Sequence, residues 1–122
     1  MSTSKMKYAL LKLNDQLEFV EMPATHMYQL GALNQRLHKE LDKLTAPGAP
    51  VLPVFIAEFD GIEIVHPGYE VQHGLEYINA LERSFAALLE QEKQYPLISL
   101  LTEIRALQAQ LEQWYEEEEE LA

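Results

Sequence analysis

Leu97, Leu100, Ile104, Leu107, Leu111 and Trp114 follow one another at spacings of 3, 4, 3, 4 and 3 residues. No polar residue interrupts the series, and an α-helix is the element that gathers such positions onto one side. A helix over residues 96–118 is therefore expected, about 35 Å long at ~1.5 Å per residue. Pro96 suits its first turn, where a missing N–H costs nothing. Ile98 and Leu101 lie beside the stripe and widen it. An apolar seam of that length must be covered by other helices, by a sheet or by a second copy of the chain.

Two further helices are expected. Met27, Leu30, Leu33, Leu37, Leu41 and Leu44 recur at spacings of three and four, which predicts a helix over residues 25–44 with Thr25 as N-cap. Arg36 and Glu40, and His38 and Asp42, stand four apart on its outer face and suit modest ion pairing. Gly31 within this helix costs about 1 kcal/mol relative to Ala. Leu75, Ile78, Leu81, Phe85 and Leu88 predict another, starting near Gly74 and broken at Tyr95-Pro96, because a residue before proline avoids helical geometry.

The remaining segments read as strands. Tyr8-Ala9-Leu10-Leu11-Lys12-Leu13 and Leu17-Glu18-Phe19-Val20 flank a turn at Asn14-Asp15. Leu17 and Phe19 share an apolar face from which Glu18 points away, and Pro23 ends the second strand. Val54-Phe55-Ile56-Ala57-Glu58-Phe59 and Ile62-Glu63-Ile64-Val65 flank Asp60-Gly61, the composition of a two-residue primed turn. Pairing about that turn sets Phe59 against Ile62, Ala57 against Ile64 and Phe55 against His66 on a core face. Glu58 then opposes Glu63, and Ile56 opposes Val65, on the other. Residues 69–73 read as a further extended piece.

The expected class is α+β: a four-stranded antiparallel sheet from two β-hairpins, covered by helices, with a long C-terminal helix. Each hairpin precedes a helix, and Asp15-Gln16-Leu17-Glu18-Phe19-Val20 echoes Asp60-Gly61-Ile62-Glu63-Ile64-Val65, so a duplicated ββα arrangement is one reading. At 122 residues the chain suits one domain spanning 1–122, with 1–6 and 116–122 as frayed tails.

Charge narrows the function classes. The chain carries 9 Lys+Arg against 20 Asp+Glu, a net charge of −11. Thirteen of the acids and only three bases (Arg83, Lys93 and Arg105) fall in residues 62–122, where five glutamates occupy 116–120. Such a surface repels phosphate backbones and anionic membranes, so neither nucleic acid nor membrane is an expected partner. A basic protein or a second copy of the chain is. No cysteine is present, which excludes disulfides and thiolate chemistry. No apolar stretch follows the polar start Met1-Ser2-Thr3-Ser4-Lys5, and a cytoplasmic protein is the expectation.

Residues with chemical potential are few. His66, Glu70 and His73 stand close in sequence and could supply zinc ligands, although their spacing matches no recurrent metal motif and ordinary boundary roles are the plainer reading. Glu58 and Glu63, if enclosed as an opposed pair, would include one carboxyl with a raised pKa, fit for general acid catalysis; on a wet face they would simply be screened. Glycines are scattered, so no phosphate-cradling loop exists, and Ser84 and Ser99 fall mid-helix rather than at a nucleophile elbow.

These features point to a non-catalytic acidic accessory protein that self-associates or docks on a basic protein, with no cofactor and no catalytic residues. Two alternatives accompany it. One is an acidic inhibitor that imitates nucleic acid and blocks a nucleic-acid-binding protein. The other is a small-molecule- or metal-binding domain, or small enzyme, using the His66–His73 loop with Glu58 and Glu63. The expected interface comprises Leu97, Leu100, Ile104, Leu107, Leu111, Trp114 and Tyr115 in an antiparallel homodimer, which keeps the two glutamate runs apart.

Overall fold

Alternation along the first two strands builds the centre of a sheet. In the computed structural model, which describes residues 6–13, 16–43, 52–59, 71–91 and 95–121, β1 (Met6–Leu13) pairs antiparallel with β2 (Gln16–Pro23). Leu13 opposes Gln16, so the connection is the two residues Asn14-Asp15. Ala9 and Leu11 of β1 and Val20 and Met22 of β2 are buried toward the helices. Tyr8, Leu10 and Phe19 point to the opposite side, as a period of two requires. Leu17 and Phe19 do share a face, but it is the face turned away from the helices; Glu18 lies on the helix side, opposite Leu11.

β2 leads through α1 (Ala24–Leu41) to β3 (Val54–Phe59). β3 also runs antiparallel to β1, so β2 and β3 are parallel and α1 is the crossover between them. The fourth strand, β4 (Val71–His73), pairs parallel with β2 and completes the order β3-β1-β2-β4. The α+β class holds, but the sheet is mixed rather than antiparallel, and its fourth strand is the extended piece before the second helix. The Asp60-Gly61 turn and the Ile62-Glu63-Ile64-Val65 strand lie outside the described residues, and with them the duplicated ββα reading.

A bulge in β3 alters the expected facing. Leu10 opposes Ala57 and Leu11 opposes Phe55, which leaves Ile56 as an extra residue. Phe55 and Glu58 therefore share the helix side, whereas Ala57 and Phe59 join Tyr8 and Leu10 on the other. There the Phe59 and Phe19 rings stand 6.1 Å apart. The strict alternation read from the sequence had placed Phe55 with Ala57 and Phe59, and Glu58 opposite.

The helices follow the apolar periodicity. Met27, Leu30, Leu33 and Leu37 of α1 are buried, with Leu41 packed against the core more loosely. The residue at the N-cap is Pro23, with no side-chain hydrogen bond, rather than Thr25. α2 (Gly74–Gln91) buries Ile78, Leu81, Phe85 and Leu88, and Tyr77 with them. α3 (Tyr95–Leu121) continues into the glutamate run, beyond the stop expected near Glu118. It packs against both α1 and α2. Arg36 reaches across from α1 to Glu103 of α3 at 2.6 Å instead of pairing with Glu40. Gln108 of α3 donates to Asn79 of α2 at 2.6 Å.

Candidate functional site: a cleft between α1 and β3

Asn34 and His38 stand one helical turn apart on α1, so their side chains rise from the same side. Both meet the carbonyl of Pro53, the residue before β3: Asn34 Nδ2 donates to it at 3.3 Å, and His38 Nε2 lies 2.9 Å from it. A carbonyl only accepts, so Nε2 of His38 is the donor in this contact, and Nδ1 is an acceptor in the tautomer that carries its only proton on Nε2. The same logic orients the Asn34 amide, because a swapped amide would set two oxygens face to face. Its Oδ1 is buried with no partner among the described residues, and the residue as a whole is only 4% exposed.

These groups wall a cleft of about 420 Å³ whose described lining is Gly31, Asn34, Gln35 and His38 of α1 with Val54, Phe55 and Glu58 of β3. The bulge at Ile56 puts Phe55 and Glu58 on this side together. Gly31 keeps the cleft open: a Cβ there would stand 3.9 Å from Glu58 Oε1, an ordinary contact. No lysine or arginine belongs to the described lining. The cleft thus offers an apolar floor, a carboxylate and amide and imidazole acceptors.

A second polar cluster lies where β2, β4 and α3 meet. Tyr8 Oη donates to Glu21 Oε2 at 2.9 Å. Burial first, and then that carboxylate, push the Tyr8 phenol up to about 12. Tyr115 is likewise pushed up to about 12 by burial and then by Glu21, and its buried hydroxyl has no partner among the described residues. Its ring lies 4.2 Å from that of His73 and edge-on to Trp114 at 4.9 Å. Tyr77 is raised further, by burial and then by Glu18, whereas burial lowers His26. All three phenols move away from neutrality, so none is a base at ordinary pH.

The residues singled out by sequence distribute as follows. Of the proposed zinc set, His66 and Glu70 lie outside the described residues. His73 Nδ1 accepts the Leu75 N–H at 3.2 Å and caps α2. Among the described residues no three His, Asp or Glu side chains are grouped to hold a metal. Glu63 is also outside them, and Glu58 faces α1. Leu97, Leu100, Ile104, Leu107 and Leu111 are buried within the chain, on a helix that packs against α1 and α2. Of the expected interface only Trp114 and Tyr115 are half-buried. Asn34 was missed although its position carries a signal: Leu30, Asn34 and Leu37 continue one stripe, so a polar residue sits where the helix is buried. No known protein family, curated protein or solved structure matches this chain.

Proposed function

We propose that the protein is a non-catalytic acidic interaction protein that docks on a basic partner through the C-terminal end of α3. The observation that carries this reading is electrostatic. Glu112, Glu116, Glu117 and Glu118 are exposed on a helix whose last turn contains no basic residue. Carboxylates at a helix C-terminus oppose the macrodipole, at roughly 0.3–1 kcal/mol each when exposed. The fold receives no compensating ion pair for them among the described residues; the Glu117 carboxylate only accepts a hydrogen bond from Gln113, at 3.2 Å. A partner bearing lysines or arginines would relieve that repulsion, and the adjoining Trp114 and Tyr115 rings add half-buried aromatic area of the kind favoured at interfaces. The partners that fit include proteins whose basic surface otherwise binds nucleic acid.

Trp114 is the only tryptophan in the chain, so its fluorescence reports from beside the acidic run. A lysine- and arginine-rich peptide is expected to change that emission, with affinity falling at least about tenfold between roughly 25 and 300 mM salt. Joint replacement Glu116→Gln, Glu117→Gln and Glu118→Gln should remove the response while leaving the fold intact. Emission indifferent to the peptide at low salt would refute the proposal.

A further inference from the structure

We propose that the cleft between α1 and β3 is a binding subsite for an alkylammonium or alkylguanidinium group, separate from the acidic end of α3. Its polar lining holds a carboxylate and no lysine or arginine, and among the described residues the exposed Gln35 amide is the one side-chain donor not bonded to Pro53. Asn34 Nδ2 and His38 Nε2 are both committed to the Pro53 carbonyl, while the Glu58 carboxylate, Asn34 Oδ1 and, in the tautomer protonated at Nε2, His38 Nδ1 are acceptors on residues that line the cleft. A ligand that satisfies them must bring several N–H groups and a positive charge, which ammonium and guanidinium do and which anions and simple hydroxyls do not.

The unpartnered Asn34 Oδ1 is the second observation and is independent of the carboxylate. A buried acceptor without a donor is costly in a folded protein. It persists here in a residue 4% exposed that lines a cleft of about 420 Å³. The Asn34 bond to Pro53 is the longer of two that share one carbonyl, 3.3 Å against 2.9 Å for His38. Because His38 also bonds that carbonyl, the Asn34 amide can give up its own bond to meet a ligand without leaving the carbonyl unpaired. Among the described residues no cation pairs with Glu58, whose carboxylate stands across the cleft from Gly31. Phe55 and Val54 supply the apolar surface on which the methylene stem of such a ligand would lie. The volume exceeds one charged head group and accommodates a stem of several carbons as well.

The chemistry has two sources, a free alkylamine or a lysine or arginine side chain of a partner, and the experiment separates them. Isotope-labelled protein is titrated, with residue-resolved NMR shifts as readout, with agmatine, with a short capped peptide containing one arginine, and with 1-pentanol as an uncharged stem. Agmatine is expected to shift Gly31, Asn34 and Glu58 with a dissociation constant in the millimolar range. A parallel response to the peptide assigns the source as a side chain, and agmatine alone assigns a free amine; either supports the subsite. Glu58→Gln should weaken agmatine at least about tenfold. Gly31→Ala should weaken it too while raising the melting temperature, which separates a filled cleft from a damaged fold. Joint glutamine replacement of Glu116, Glu117 and Glu118 should leave these shifts unchanged, so the subsite and the docking surface on α3 fail independently. Pentanol binding as well as agmatine, or no shift at these residues with agmatine at tens of millimolar, would overturn the assignment.

Discussion

Replacing Gly74 with Ala drives a methyl group into the backbone of β2. A Cβ built on Gly74 would stand 2.6 Å from the Glu21 carbonyl oxygen and 3.2 and 3.3 Å from Met22 Cε and Cβ. Met22 Cε ends a flexible side chain and can swing aside, but the Glu21 oxygen belongs to a strand paired on both edges. Restoring an ordinary contact of at least 3.4 Å requires α2 and β2 to separate by several tenths of an ångström. That movement loosens Ile78 and Phe85, the fully buried residues of the same helix. Overpacking of this kind costs about 1–3 kcal/mol, and the helix propensity gained by alanine offsets less than about 1 kcal/mol of it. For a chain of this size each kcal/mol moves the melting temperature by roughly 3–6 °C, so a net loss of about 1–2 kcal/mol should make Gly74→Ala melt about 3–12 °C lower. Gly31→Ala supplies the opposite sign in the same assay. Its nearest new contact is 3.9 Å, so the propensity gain of about 0.5–1 kcal/mol is retained and the melting temperature rises a few degrees. Circular dichroism melts of the two variants beside the parent chain are sufficient. A Gly74→Ala protein as stable as the parent, or both variants moving in one direction, would refute the reasoning.

Alkaline titration followed by tyrosine ultraviolet absorbance should show Tyr8 and Tyr115 ionising near 12, with Tyr77 among the late group. Their folded values lie above the unfolded value near 10, so the stability they contribute is complete below about pH 10 and is lost as pH rises toward 12. Ile104→Ala removes a side chain with no exposure and should cost about 2–5 kcal/mol in urea unfolding. Light scattering on the folded variant should give the mass of the parent; a changed mass would return the α3 seam to an intermolecular role.

The three helices were legible because their apolar residues repeat at three and four positions over eighteen or more residues, a period no strand shares. The β1–β2 pairing was legible for a similar local reason: only two residues separate the strands, so Leu13 and Gln16 face one another and the register follows. Which face of that hairpin meets the helices was not. β2 is apolar on both sides, with Phe19 on one and Val20 and Met22 on the other, all three buried. Alternation alone cannot choose between two apolar faces.

What the sequence by itself determined, then, is the set of local elements, the apolar stripe of each helix and the excess of acid toward the C-terminus, because each depends on near neighbours along the chain. Tertiary structure decided how they combine. Val71–His73 pairs with β2, more than forty residues away in sequence, and no local pattern encodes a partner at that distance. The α3 seam is covered by α1 and α2, whereas periodicity states only that cover is required. The cleft depends on a bulge at Ile56 that brings Phe55 and Glu58 to one side, and on Asn34 and His38 meeting Pro53 across the crossover. Those contacts arise from the packing of α1 across β1 and β2 beside β3, a long-range event whose free energy is shared among many residues and written in none of them singly.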